Sequence, residues 1–349
     1  MNKKKDIRQL SFEELINEMA LLGEKSFRAK QIYEWLWKKR AIHFDQMTNL
    51  SKELRNKLSE NYDIHAISLS EAQYSSDKTI KIAFKLIDGA IIEGVLIPTS
   101  KRMTACVSVQ VGCSLACVFC ATGKLDRIRN LNHDEIYDQV VMINEMAQEK
   151  YNISLSNIVF MGMGEPLLNY NNVLVAIDRI TSDNGLGMSP KRITVSTAGI
   201  AKMIKKLADD KVRFNLALSL HAANDEKRNN IMPINESNNL EVISEALVYF
   251  YLKTNLRLTF EYIIFKNFND KIEDAIELAD FCKTVPCKVN IIEYNDIDNG
   301  VYTQAEKDNV DAFANFLESK NIIVNIRRSR GKDIDAACGQ LANKKKRIT

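Results

Sequence analysis

The sequence predicts an α/β protein: a parallel sheet or barrel preceded by a small helical domain and a β-hairpin. Three observations carry this. From Thr104 onward, short apolar runs of strand length alternate with helix-length stretches, as in successive βαβ units. The first sixty or so residues repeat apolar positions at helical spacing, and residues 66–98 switch to a period of two. At 349 residues the chain exceeds one small domain, although a barrel-type fold uses most of that length as one unit.

Ser11 is an N-cap with Glu14 three residues on, a capping box that opens a helix from Phe12 to Leu22. A second helix, Phe27 to Lys39, carries Ile32, Trp35 and Leu36 on one face, and Leu50 to Tyr62 repeats the pattern after Ser51. These define a helical accessory domain over 1–64. Ile80 to Leu86 alternates, Asp88-Gly89 marks a turn, and Ile91 to Ile97 continues, so 65–103 reads as a hairpin extension. Strands then follow at Ala105 to Gln110, Asn157 to Met161, Arg192 to Ser196, Phe214 to Leu220, Leu256 to Ile264, Lys288 to Tyr294 and Ile322 to Ile326. Helices between them include Asp134 to Gln148, Ile272 to Lys283 and Ala305 to Ser319. This α/β unit covers 104–343, and 344–349 is a basic tail. Each polar motif falls just after a strand, on the face where barrels carry function.

Composition narrows the class. The chain is 46% hydrophobic and 27% charged, ordinary for a globular protein. No apolar run approaches the roughly 18 residues of a membrane span, and the polar start Met1-Asn2-Lys3-Lys4-Lys5-Asp6 lacks a signal-peptide core. Seven cysteines, three of them clustered, point to a reducing cytoplasm and to metal or catalytic thiols. The net charge of +3 does not announce a nucleic-acid binder, but local runs such as Arg327-Arg328 with Arg330 permit phosphate binding.

The most informative run is Gly112-Cys113-Ser114-Leu115-Ala116-Cys117-Val118-Phe119-Cys120. Three thiolates on one loop can hold a metal centre and leave a position open. Structural zinc takes four Cys or His ligands, and a fourth is available in Cys106, His133 or a distant residue. Iron–sulfur ligation is the alternative, and a cubane with only three cysteines keeps one iron free. A second motif, Met161-Gly162-Met163-Gly164-Glu165-Pro166, follows a strand, with glycines that let backbone approach a ligand.

Together these motifs resemble the radical S-adenosylmethionine superfamily. The resemblance implies a partial (β/α)6 barrel, a 4Fe–4S cluster on Cys113, Cys117 and Cys120, and a cofactor amino group held near Gly164 and Glu165. Two more thiols refine it. Cys106 leads into the cluster loop, and Cys338 stands in Gly331-Lys332-Asp333-Ile334-Asp335-Ala336-Ala337-Cys338-Gly339-Gln340-Leu341. With these the chain resembles the RNA adenine methyltransferases of the RlmN and Cfr family along nearly its whole length.

That resemblance implies a methyl group built in two stages from two S-adenosylmethionine molecules. Cys338 is methylated first, a radical formed from the second molecule removes hydrogen from that methyl, and the resulting carbon adds to adenine. Glu93, in Ile91-Ile92-Glu93-Gly94, is then the base, and Cys106 resolves the adduct as a disulfide. Further cofactor contacts carry over to Ser196, Ser219, Leu220, His221 and Asn295. Each has a plainer reading: Ser and Asn cap helices, His221 is a satisfied structural residue, Glu93 a solvated edge residue, and Cys106 a small buried apolar group. Cys282 and Cys287 read as packing residues.

Pro166 favours methylation at carbon 2 over the carbon 8 reaction of the Cfr branch, where Ala is typical. The implied substrates are 23S rRNA and tRNA, bound as a flipped base with basic clusters on the phosphates. The resemblance also implies a flavodoxin-like electron donor, a monomer, no membrane and a cytoplasmic location. Val109, Asp126 and Asp296 depart from the family pattern in loop detail. A zinc-binding RNA-interaction protein without catalysis is the reading of a different class.

Overall fold

The computed structural model describes residues 4–342, so the basic tail and the first lysine of the N-terminal run lie outside the described residues. Its centre is one ten-stranded sheet whose strands stand side by side in chain order. β1 (Ser68–Tyr74), β2 (Ile80–Lys85), β3 (Ile91–Pro98) and β4 (Met103–Cys106) form an antiparallel meander. From β4 the sheet turns parallel through β5 (Asn157–Phe160), β6 (Ile193–Thr197), β7 (Asn215–Ser219), β8 (Leu258–Ile264), β9 (Cys287–Glu293) and β10 (Ile323–Arg327). Helical crossovers connect them: α4 (His133–Tyr151), α5 (Tyr170–Thr181), α6 (Ala201–Asp209), α7 (Asp225–Ile231) with α8 (Leu240–Thr254), α9 (Ile272–Phe281) and α10 (Lys307–Ser319). Six β/α units plus a last strand make an open barrel, because β1 and β10 are the two ends of the sheet.

The apolar pattern explains the layers. All seven residues of β8 are buried, as expected for a central parallel strand covered on both faces. β1 is mostly exposed on both faces, so it carries no alternation, and the extension reads from the sequence as a hairpin although it has three strands. The strand expected over Ala105 to Gln110 ends at Cys106. Val107 N still donates to Val159 O of β5, and beyond it the backbone bonds to the loop that follows β5: Val109 N and Gln110 N both donate to Met163 O.

The N-terminal unit holds α1 (Phe12–Leu21), which packs on α2 (Phe27–Trp37), and α3 (Lys52–Asn61); Ser11 and Glu14 form the expected capping box. Its core is continuous with that of the barrel. Trp37 packs edge-on against Tyr137, whose hydroxyl donates to Trp37 O at 2.6 Å. Beside them the buried Arg8 meets Asp6, Asp134 and Asp138.

Candidate active site

The C-terminal ends of the parallel strands open into a cleft of about 910 Å³, including its mouth. Cys113, Cys117 and Cys120 line one side of it, on the loop after β4. The loop is pinned from both directions: Val118 N donates to Ile231 O and Ala121 N to Gly339 O. Cys117 and Cys120 are half-buried in the wall, and burial raises both thiols above their ordinary range. Cys113 is pushed up to about 11, by burial first and partly by the proximity of Cys120. Three thiols that disfavour one another's ionisation are the setting a cationic group relieves. Among the described residues no three Cys, His, Asp or Glu side chains converge on a single point. A cubane takes one thiolate per iron, and three thiols on one cleft wall supply three of its irons and leave the fourth free, so the donor set fits the cluster.

Gly164 and Glu165 form the neighbouring wall. Gly164 adopts φ +96° over the Gln110 side chain, and Gln110 Oε1 accepts from Glu165 N at 2.9 Å. The Glu165 carboxylate accepts from Leu167 N and Ala198 N. Burial raises its pKa, and those two donors together with the Thr197 hydroxyl oppose the rise. Ser196 and Ser219, at the ends of β6 and β7, share a hydrogen bond of 3.1 Å and both face the cleft.

His221 also lines the cleft, in a left-handed conformation with φ +58°. Its Nδ1 accepts from Ile263 N, which leaves the proton on Nε2, and burial pushes its pKa down to about 3. It is therefore a neutral donor, stacked edge-on against Phe119. Leu220 is not part of the lining: its side chain is fully buried, its N donates to Glu261 O and its O accepts from Arg228. Asn295 also stands behind the wall, where its Nδ2 donates to Cys338 O at 3.2 Å.

Cys338 reaches the cleft from far along the chain and is exposed there. The segment that carries it is tied down by Thr122 Oγ1 to Leu341 O and by Gln340 Nε2 to Asp296 O. Cys106 lies buried at the end of β4. Burial pushes its thiol up to about 12, the nearby Cys338 adds to the rise, and Met161 N and Arg327 counter it. Glu93 is buried on β3, outside the lining, and its Oε2 accepts from Ala342 N at 2.9 Å.

Several residues here carry a different reading in the sequence, Arg327 as part of a basic run, or are not singled out by it at all. Arg327, on β10, lines the cleft and pairs with the buried Glu261 at 3.2 Å. Arg228, wholly buried, binds the carbonyls of Ala198, Ser219 and Leu220 and so ties the ends of β6 and β7 together. Ser108 donates to Glu93 O and accepts from Met163 N. Arg327 stands out only as one of a basic run, and neither an arginine inside a seven-residue helix nor a lone loop serine carries a motif that marks its role.

Comparison with known proteins decides the family. The model of the ribosomal RNA large subunit methyltransferase N-terminal domain matches residues 5–64, and that of the radical SAM superfamily matches 107–279. A probable dual-specificity RNA methyltransferase RlmN of Cytophaga hutchinsonii is 61% identical over 342 residues, covering 98% of this chain and 94% of that protein. The chain belongs to the RlmN family. A protein of the same name from Staphylococcus aureus strain Newman is 42% identical over 99% of this chain and 94% of its own length. A crystal structure of a radical SAM methyltransferase from Sphaerobacter thermophilus superposes with a TM-score of 0.90 at 36% identity, covering 97% of this chain and 99% of that one. RlmN family membership brings with it the 4Fe–4S cluster and S-adenosylmethionine of the radical SAM superfamily.

Proposed function

We propose that this chain methylates carbon 2 of adenine in 23S rRNA and in tRNA, through an S-methylated Cys338. The observation that carries this reading is that Cys338, more than two hundred residues from the cluster loop, shares one cleft with Cys113, Cys117 and Cys120. An enzyme that used S-adenosylmethionine only as a radical source would have no use for a fourth thiol there.

The cluster and cofactor supply reductive cleavage of a sulfonium bond to a carbon radical. The chain's own residues do the rest. Cys113, Cys117 and Cys120 hold the cluster, while Gly164, Glu165, Ser196, Ser219 and the Nε2–H of His221 line the place for the cofactor. Leu220 and Asn295 contribute by fixing the backbone of those walls. Cys338, on an exposed loop, takes up a methyl group and presents it to the base. Glu93 removes the ring proton, and Cys106 displaces the product as it bonds to Cys338. Pro166, buried after Glu165, stands where the Cfr branch typically has Ala, and this supports carbon 2 over carbon 8. The helices of 1–64 and the basic clusters hold RNA, a flavodoxin-like protein reduces the cluster, and the enzyme works as a cytoplasmic monomer; among the described residues no helix is long and apolar enough to cross a membrane.

Two variants test the thiols. Cys338→Ala should make no methylated adenine, and Cys106→Ala should stall as a covalent RNA–protein adduct visible as a gel shift. Free turnover by the Cys106 variant would remove its resolving role. Mass mapping of adenines in 23S rRNA and tRNA from cells with and without the protein tests the substrates, and methylation at carbon 8 there would move the enzyme to the Cfr-type reaction.

A further inference from the structure

Lys81 is a buried lysine that no motif marks. On the antiparallel pair β2–β3, Lys81 stands opposite Val95 and Ala83 opposite Glu93. Lys81 and Glu93 are therefore diagonal neighbours on one face, within reach for long side chains. Lys81 Nζ lies 3.7 Å from Glu93 Oε1, with side-chain exposures of 8% and 6%. The ammonium also donates to Asp335 O at 3.5 Å, and Glu93 Oε2 accepts from Ala342 N at 2.9 Å. Asp335 and Ala342 bracket Cys338 on both sides. The ion pair thus lies beneath the loop that carries the methylated thiol.

We propose that Lys81 is the positioning residue of the base, holding the Glu93 carboxylate in place under the Cys338 loop. The inference rests on Glu93 being the base. The distances suit the task. A contact of 3.7 Å is too long for an N–H···O hydrogen bond but short for two charges in a buried site. Lys81 therefore orients the carboxylate by charge without occupying the Oε1 lone pair that must receive a proton. Oε2 is the oxygen taken by Ala342 N–H. The Glu93 backbone is fixed as well, since its carbonyl accepts from Ser108 Oγ at 2.5 Å and Ser108 Oγ accepts from Met163 N. The base is thus tied both to the cofactor wall and to the Cys338 loop. In the step concerned, a proton moves from carbon 2 of the Cys338-bound adenine to Glu93 Oε1, and the C–H electron pair stays with the ring.

The test is Lys81→Gln, which keeps a hydrogen-bonding side chain and removes the charge, with Lys81→Arg as the rescue. Reconstituted enzyme is given S-adenosylmethionine, reductant and an RNA substrate, and three steps are followed by mass: methylation of Cys338, cleavage of S-adenosylmethionine, and release of methylated adenine. The expected result is that Lys81→Gln completes the first two as the wild type does. It should accumulate the RNA adduct and release product about a hundredfold more slowly, the usual scale of a lost base, and Lys81→Arg should recover most of that rate. Product release at the wild-type rate by Lys81→Gln would overturn the proposal. So would loss of all three steps together, which would make Lys81 purely structural, or an equal defect in Lys81→Arg. Free turnover by Glu93→Gln would instead overturn the base assignment itself, so the two failures are distinct.

Discussion

At φ +96° Gly164 lays its Cα against Gln110, where an added Cβ would stand 2.5 Å from Gln110 Cβ. Gln110 cannot retreat cheaply, because its Oε1 holds Glu165 N and its Nε2 donates to Asn130 Oδ1. Gly164→Ala therefore has to move the wall that carries Glu165, on top of a backbone strain of about 1–3 kcal/mol. We expect its affinity for S-adenosylmethionine to drop at least tenfold while the circular-dichroism spectrum is kept; equilibrium binding with unchanged affinity would show that this wall does not meet the cofactor. Gly164 was legible because glycine before an acidic residue at a strand end is a local pattern. Gln110 was not, since nothing in Val109-Gln110-Val111 distinguishes a ligand-wall strut from an ordinary strand residue. The same contrast separates Cys338 from Lys81. A thiol in a Gly-flanked run stands out, whereas a lysine on an alternating strand looks like a solvated face until its burial is known.

At the scale of one element, the first turn of α4 joins two titrations of opposite sign. His133 is buried against Trp37, and burial first, then Arg179, pushes its pKa down to about 4. Its contribution to stability is full above the ordinary histidine value of 6.5 and is lost as pH falls to about 4. Burial pushes the neighbouring Asp134 up to about 7, although Arg8 opposes the rise. Its contribution is full below 3.8 and is lost as pH climbs through about 7. Across the overlap, from about 4 to 6.5, each is linked to one proton, worth about 1.4 kcal/mol per pH unit, in opposing directions. Asp134→Asn should leave the histidine term uncompensated. The melting temperature of the cofactor-free variant should then rise with pH over this window more steeply than that of the wild type, as scanning calorimetry at several pH values would show. Parallel curves for the two proteins would mean that Asp134 does not titrate there. The sequence marks a helix beginning near Asp134, within a residue of the start of α4 at His133. The inward-facing His-Asp pair was not legible there, because its burial comes from helices a hundred residues away.

On the scale of the whole molecule, the helices of 1–64 read as an accessory domain, and that boundary is visible in the change of period at residue 66. What the period cannot show is that the core does not stop there. Trp37 is nearly fully buried, packed against Tyr137 and His133 of α4, and Arg8 supplies the cation for Asp134 and Asp138 of the same helix. Removing residues 1–64 would expose an apolar face of α4 and leave two of its carboxylates without their guanidinium, and truncating one partner of a buried pair costs about 3–5 kcal/mol. A domain is stable by only about 5–15 kcal/mol in total. α4 is also the crossover from β4 to β5, so its loosening would reach the cluster loop at one end and the Gly164 wall at the other. The chain from residue 65 onward should therefore lose its cooperative melting transition and bind substoichiometric iron on reconstitution, rather than persist as a folded barrel lacking only RNA affinity. A truncated protein that melts as sharply as the full chain and takes up the same iron would show instead that the helical unit is a detachable RNA-binding module.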